Sequence, residues 1–223
     1  MSITKNFQHI RNQLPPDVTI VVAAKQRIPE EVKEVIEAGA TDIGQNYVQE
    51  GVEMHQALAD LAHKVRWHMI GDLQKNKINK ALSFCDIIQT IDSKQKAEAI
   101  DKRVKQSDRK QVSCLIEVNI GCEFSKSGIP PEPELAEQLA QCISLCPHLR
   151  LEGVMTMGPV TVAPEDIRPF FRQAHDIYKR LQDLNLKNTN IQILSMGMTH
   201  SYNVAVSEGS NMVRIGTALF GTR

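Results

Sequence analysis

Eight short apolar runs, separated by amphipathic or capped segments, constrain this 223-residue chain more than any other feature. The first, Val18–Ala24, is β-branched and almost unbroken, as a strand buried on both faces should be. The others are Asp42–Gly44, Val65–Ile70, Ile87–Ile91, Val112–Val118, Leu149–Met155, Ile191–Ser195 and Asn211–Ile215. Between them, Pro29 opens a helix carrying Val32, Val35 and Ile36 that stops at Gly39. The segments Tyr47–Ala62 and Leu73–Leu82 read as helices. Ser93 caps another with Ala97, Ile100 and Val104 on one face. Leu135, Leu139, Cys142 and Ile143 mark a helix closed by Pro147. Phe170, Phe171, Ala174, Ile177 and Leu181 mark the next, which Pro169 should delay or kink. A short helix over Tyr202–Ser207 ends at Gly209. Eight strands alternating with helices predict an α/β fold, a (β/α)8 TIM barrel with an extra N-terminal helix over residues 1–14. An open doubly wound sheet is the alternative. The expected organisation is one domain over residues 1–223, with no room for a second.

Lysine plus arginine number 26 and aspartate plus glutamate 26, so the formal net charge is zero. A duplex nucleic-acid binder usually carries a basic surplus, so no nucleic-acid partner is expected, although a local patch can hide in a balanced total. No apolar run approaches the roughly 20 residues that span a bilayer, and the N-terminal stretch lacks a signal-peptide core. A cytoplasmic protein without a membrane partner is expected. The five cysteines form no CxxC pair, which argues against a disulfide framework or zinc knuckle. Cys142 and Cys146 read as small core residues. The seven histidines show no HExxH spacing, so no metal site is expected.

In such a barrel the chemistry sits at the C-terminal ends of the strands. Lys25 ends the first apolar run. An isolated lysine there would ordinarily be a solvated strand end. Partial desolvation instead favours the neutral amine that forms a Schiff base. The loops after strands seven and eight, Ser195-Met196-Gly197-Met198-Thr199 and Arg214-Ile215-Gly216-Thr217, occupy the usual phosphate position, where glycines admit an anion to backbone N–H groups. Each loop alone could be an ordinary capped turn. Together with Lys25 they describe an aldehyde-seeking amine beside a phosphate cradle, and pyridoxal phosphate carries both matching groups. A barrel for another phosphorylated metabolite, with Lys25 as its electrostatic partner, is a separate possibility.

Several segments carry a family resemblance. They are Ile20-Val21-Val22-Ala23-Ala24-Lys25, Gly44-Gln45-Asn46-Tyr47-Val48-Gln49-Glu50, Trp67-His68-Met69-Ile70-Gly71, Leu73-Gln74-Lys75-Asn76-Lys77, Ser125-Lys126-Ser127-Gly128, Ser195-Met196-Gly197-Met198 and Met212 to Gly221. In this order, from about Val18 to Gly221, the chain resembles the pyridoxal phosphate homeostasis proteins. The resemblance implies a monomeric barrel of the alanine-racemase N-terminal type, binding pyridoxal 5'-phosphate as a Schiff base on Lys25. It places the phosphate against Ser195, Gly197, Gly216 and Thr217, with Met198 and Thr199 in the same loop. Arg214 would face the pyridine nitrogen and Asn46 would lie near the ring. It implies a role in vitamin B6 and amino-acid homeostasis without an established reaction, with cofactor-accepting apo-enzymes as possible partners.

The chain departs from the family pattern at three places. Asp72 stands where a histidine is usual and reads as an N-cap, Gln45 stands for a glutamate, and Thr199-His200-Ser201 replaces a Ser-Ala-Asp stretch.

The alternative to a carrier is a small pyridoxal-dependent enzyme acting on amino acids, such as a racemase. Arg214 cannot surrender its proton, so facing the ring nitrogen it would weaken the electron sink. Barrel-type racemases nevertheless use an arginine there. They also take a tyrosine base from a further domain of a partner subunit, which this chain is not expected to have. Of its tyrosines, Tyr178 reads as packing, while Tyr47 and Tyr202 lie near strand ends. No catalytic residue is expected. His68 reads as a hydrogen-bonded core histidine. Lys75, Lys77 and Lys80 read as solvated helix surface, and Lys126 as a rim residue that could act as a transient second ligand.

Overall fold

β1 (Thr19–Ala23) pairs in parallel with β2 (Asp42–Gln45) on one side and β8 (Met212–Ile215) on the other, which closes the sheet into a barrel. The remaining strands follow in chain order: β3 (Arg66–Met69), β4 (Ile87–Ile91), β5 (Val112–Val118), β6 (Leu149–Thr156) and β7 (Thr189–Ser195). The open sheet is thereby excluded. These relationships come from a computed structural model, which describes residues 2–159 and 163–221. The ends of the expected domain, Met1 and Thr222–Arg223, lie outside the described residues.

Alternation along the strands sorts side chains into two layers. In β1, Ile20 and Val22 join the larger cluster under the helices, while Val21 joins a smaller one with Ile87, Leu115, Met155, Ile193 and Met212. The smaller cluster fills the barrel lumen. Each such buried aliphatic residue contributes about 1.5–3 kcal/mol relative to exposure. The barrel is therefore a packed core, and ligand space is confined to its rims.

The helices are α1 (Ile3–Gln13), α2 (Pro29–Glu37), α3 (Val48–Leu58), α4 (Ile78–Leu82), α5 (Lys94–Lys105), α6 (Pro133–Ser144), α7 (Arg168–Gln182), α8 (Tyr202–Ser207) and α9 (Thr217–Phe220). The leading helix is tied to the helices that follow the first and last strands. Asn6 donates to the Leu219 carbonyl at 2.8 Å and the Thr4 amide donates to Glu34 at 3.0 Å. Ser93 caps α5 as expected, accepting from the Lys96 amide at 3.3 Å. Pro169 sits in the first turn of α7, where its missing N–H costs nothing, so that helix is not delayed.

Two helices are shorter than their apolar spacing predicts. The segment Leu73–Leu82 is helical only from a 3-10 turn at Lys75–Lys77 onward, because Leu73 is drawn into the core before the chain turns. The helix over Tyr47–Ala62 stops at Leu58, where Ala59 takes a positive φ of 46° and starts a 3-10 segment. Among the described residues no helix is long and apolar enough to cross a membrane.

Candidate functional site

Lys25 follows β1 by two residues, after the Ala24 amide has extended the pairing to the Gly44 carbonyl at 2.9 Å. Its half-buried ammonium stands 5.1 Å from the centre of the Tyr47 ring, at the start of α3. That cation–π contact holds the lysine over the rim.

Arg214 comes from the opposite neighbour, β8, and projects into the top of the barrel, 4% exposed. Its Nη1 donates to the Ser195 carbonyl at 2.9 Å and to Ser195 Oγ at 2.7 Å, and its Nη2 donates to the Thr156 carbonyl at 2.7 Å. Three of the guanidinium's five N–H groups are thus committed, leaving two for a ligand. Burial lowers its pKa to about 10, opposed by the nearby Glu117 carboxylate. The group therefore stays cationic at neutral pH.

A rim cavity of about 510 Å³ brings together Lys25, Asn46, Met198, Thr199, Arg214, Gly216 and Thr217. Seven of the nine expected site residues therefore share one wall. The other two, Ser195 and Gly197, are not on it. Ser195 is fully buried, with its hydroxyl engaged by Arg214. Gly197 shapes the loop: its carbonyl accepts from the Arg214 amide at 3.0 Å, and its φ is +95°. A Cβ there would lie 2.6 Å from that of Ala205, so only glycine fits. The loops after β7 and β8 are tied together, since Thr199 Oγ1 accepts from the Ala218 amide at 3.2 Å.

Arg214 is anchored from below by a polar chain across the lumen. Ser195 Oγ donates to Gln89 Oε1 at 2.8 Å, Gln89 Nε2 faces His68 Nδ1 at 2.9 Å, and His68 Nε2 reaches Asp42 Oδ1 at 2.8 Å. The directions are linked. Because the Gln89 oxygen accepts from Ser195, its nitrogen donates to His68 Nδ1, and the His68 proton sits on Nε2, toward Asp42. Burial alone would raise the Asp42 pKa, but His68, Thr41 and Arg66 hold it below the usual carboxylate range. His68 is thus the hydrogen-bonded core histidine expected.

A second rim cavity, about 420 Å³, shares Asn46 with the first and continues past Tyr47, Gly71, Asp72 and Lys77 to Ser125, Lys126 and Ser127. Glu117 of β5 lines it, 4% exposed, with Oε2 lacking a hydrogen-bond partner among the described residues. Burial raises its pKa to about 7. The Gln45 amide, at the glutamate position of the family pattern, is also buried without a partner. Asp72 is not an N-cap. It accepts from Lys96 Nζ at 2.7 Å, because that lysine gathers Asp72, Asp92 and the Thr90 carbonyl; the next turn begins after Gln74 instead. Lys126 is held by Glu123 at 2.7 Å and the Gly158 carbonyl at 3.1 Å.

Sequence reasoning passed over four residues here. Glu117 had a signal, a lone carboxylate in the run Leu115-Ile116-Glu117-Val118. Gln89 had a similar one in β4. Arg27 and His200 also line the first cavity; Arg27 stacks on Phe220 and donates to the Gly221 carbonyl at 2.9 Å. Neither had a signal beyond its neighbours Lys25 and Thr199.

The tyrosines differ in availability. The Tyr202 hydroxyl donates to Gln13 at 2.5 Å and Tyr178 is buried, while Tyr47 is exposed beside Lys25. Among the described residues no cluster of three metal-ligating side chains occurs.

The model of the alanine racemase N-terminal domain family matches residues 1–223. A pyridoxal phosphate homeostasis protein of Aquifex aeolicus is 39% identical over 201 residues, covering 90% of this chain and 85% of the relative. One from Pasteurella multocida is 38% identical, covering 99% and 94%. The structure of PipY from Synechococcus elongatus with pyridoxal phosphate bound superposes with a TM-score of 0.87 at 29% identity, covering 99% of this chain and 100% of PipY. An alanine racemase of Clostridium difficile shares the fold at a TM-score of 0.78 and 17% identity, and this chain spans 57% of it. The chain therefore belongs to the alanine racemase N-terminal domain family, and within it to the pyridoxal phosphate homeostasis proteins.

Proposed function

We propose that the Lys25 cavity binds pyridoxal 5'-phosphate and that the protein holds this cofactor for vitamin B6 homeostasis rather than turning over a substrate. The observation that carries the reading is the convergence of Lys25 and Arg214 on one wall with the Gly216 and Thr217 loop. The residues present fit the group. Two N–H groups of a buried cationic arginine remain for the ring nitrogen, and Gly216 lies so near the Ala23 carbonyl that an added Cβ would stand 3.2 Å from it. A relative's structure holds the same cofactor.

In this reading Lys25 would hold the aldehyde end of the cofactor, with its ammonium kept over the Tyr47 ring. Arg214 would hold the ring nitrogen while keeping its own proton. Asn46 flanks the ring. Thr199, Gly216 and Thr217 would receive the phosphate, with Met198 on the same wall. Ser195 and Gly197 act one step back, by fixing Arg214 and the loop backbone. Bound, the cofactor supplies a carbon electrophile open to amines.

We take the barrel with its leading helix as one cofactor-binding domain, acting in the cytoplasm as a monomer and delivering cofactor to apo-enzymes. Purified protein should be yellow, and Lys25→Ala should lose the colour. A colourless protein that cannot be reconstituted would refute the reading. The enzyme alternative draws on Tyr47, which stands beside Lys25 with an exposed ring. Solvent-deuterium incorporation into amino acids, dependent on Lys25, would establish it.

A further inference from the structure

The cavity around Glu117 has two halves of opposite character. At its floor is a buried carboxyl group with one oxygen unpartnered. Such an atom is costly unless a donor reaches it, and a charged donor satisfies it best. The neighbouring acid makes no such demand, since Lys96 is bound to Asp72. At the rim, Lys77, Ser125 and Ser127 make no side-chain hydrogen bond or ion pair among the described residues, whereas Lys126 is neutralised by Glu123. The cavity thus offers inside an acid that feels Lys96 and Arg214 only through space, with one oxygen lacking a hydrogen bond, and outside one cation with two hydroxyls. Among the described residues no further carboxylate or imidazole joins it in a group of three ligands, which makes the acid a poor metal site. A ligand that carries both an ammonium group and a carboxylate complements both halves in charge, and about 420 Å³ suits a small or medium-sized one.

We propose that this cavity is a binding site for a free α-amino acid, with its ammonium on Glu117 and its carboxylate toward Lys77, Ser125 and Ser127. The site goes beyond the cofactor reading and needs no cofactor for its own binding. Its position gives it meaning, however. Asn46 lines both cavities and Glu117 lies near enough to Arg214 of the Lys25 cavity to act on it, so an amino acid held here would lie next to that pocket. The protein would then sense an amine that competes with Lys25 for an aldehyde.

Calorimetric titration at pH 8 with L-alanine, propionate and ethylamine tests this on the native protein and on Lys25→Ala. L-alanine should bind saturably to both proteins, and each half-ligand at least tenfold more weakly. Glu117→Gln should weaken L-alanine at least tenfold and leave propionate unchanged. Lys77→Ala, on the surface and harmless to folding, should weaken L-alanine and propionate alike. Propionate or ethylamine binding as tightly as L-alanine would overturn the proposal, as would L-alanine binding that ignores both substitutions or gives no signal. If L-alanine binds native protein but not Lys25→Ala, the contact is with the cofactor and the proposal falls. Conversely, failure of Lys25 to carry cofactor would leave a positive result standing.

Discussion

Arg214 Nη1 donates to Ser195 Oγ at 2.7 Å, and through that hydroxyl the rim arginine is joined to Gln89, His68 and Asp42 across the barrel. Arg214 therefore does not choose its own rotamer. Ser195→Ala should leave the Gln89 oxygen and one arginine N–H unsatisfied in a dry lumen, costing about 1–3 kcal/mol in urea unfolding. It should also weaken cofactor binding several-fold in an absorbance titration. Ser195→Thr, which keeps the hydroxyl, should recover most of both losses. Unchanged affinity in Ser195→Ala would show that Arg214 is positioned by its backbone acceptors alone.

Gly197 lies on the same loop, and its constraint is steric. With φ at +95° and Ala205 in the way, Gly197→Ala should destabilise by about 1–3 kcal/mol. The displaced loop should also loosen its carbonyl's hold on the Arg214 amide. Thermal unfolding compared with a Gly221→Ala control, where a Cβ meets nothing within 4 Å, separates the clash from the general effect of removing a glycine.

The two buried acids should give opposite pH signatures. The Glu117 pKa is raised in the folded state to about 7, so the folded protein holds this proton more tightly than the unfolded chain. Its contribution is present in full below the unfolded value and is lost as pH rises through 7. Glu117→Gln should accordingly gain stability over the parent at pH 8, on the order of 2 kcal/mol, with the gain vanishing toward pH 4. The Asp42 pKa is lowered. Its contribution is present above the unfolded value and is lost as pH falls through the folded one, so Asp42→Asn should cost most at neutral pH and little in acid. Denaturant midpoints measured from pH 4 to pH 8 check both, and parallel curves for the two variants would contradict the assignments.

The features legible in the sequence were those set by backbone periodicity. Eight apolar runs became eight strands in the same order, and Lys25, Arg214 and the two glycine-bearing loops met because a barrel gathers strand ends at one rim. What stayed hidden depends on lumen geometry. Nothing in the spacing of Asp42, His68, Gln89 and Ser195 reveals that they form one chain, since they come from four strands. Glu117 is a lone carboxylate in the otherwise uncharged β5, and closure turns it toward the rim cavity. Asp72 was misassigned for the same reason: its partner Lys96 is 24 residues away, and a nearby helix start offered a simpler local account.

The central claim is that Lys25 is the covalent anchor for pyridoxal phosphate. Borohydride reduction of the holoprotein followed by peptide mass mapping addresses it directly. One pyridoxyl-phosphate adduct per chain is expected, on the peptide containing Lys25, and none in Lys25→Ala. An adduct confined to another lysine, or the absence of any adduct from protein loaded with cofactor, would contradict it.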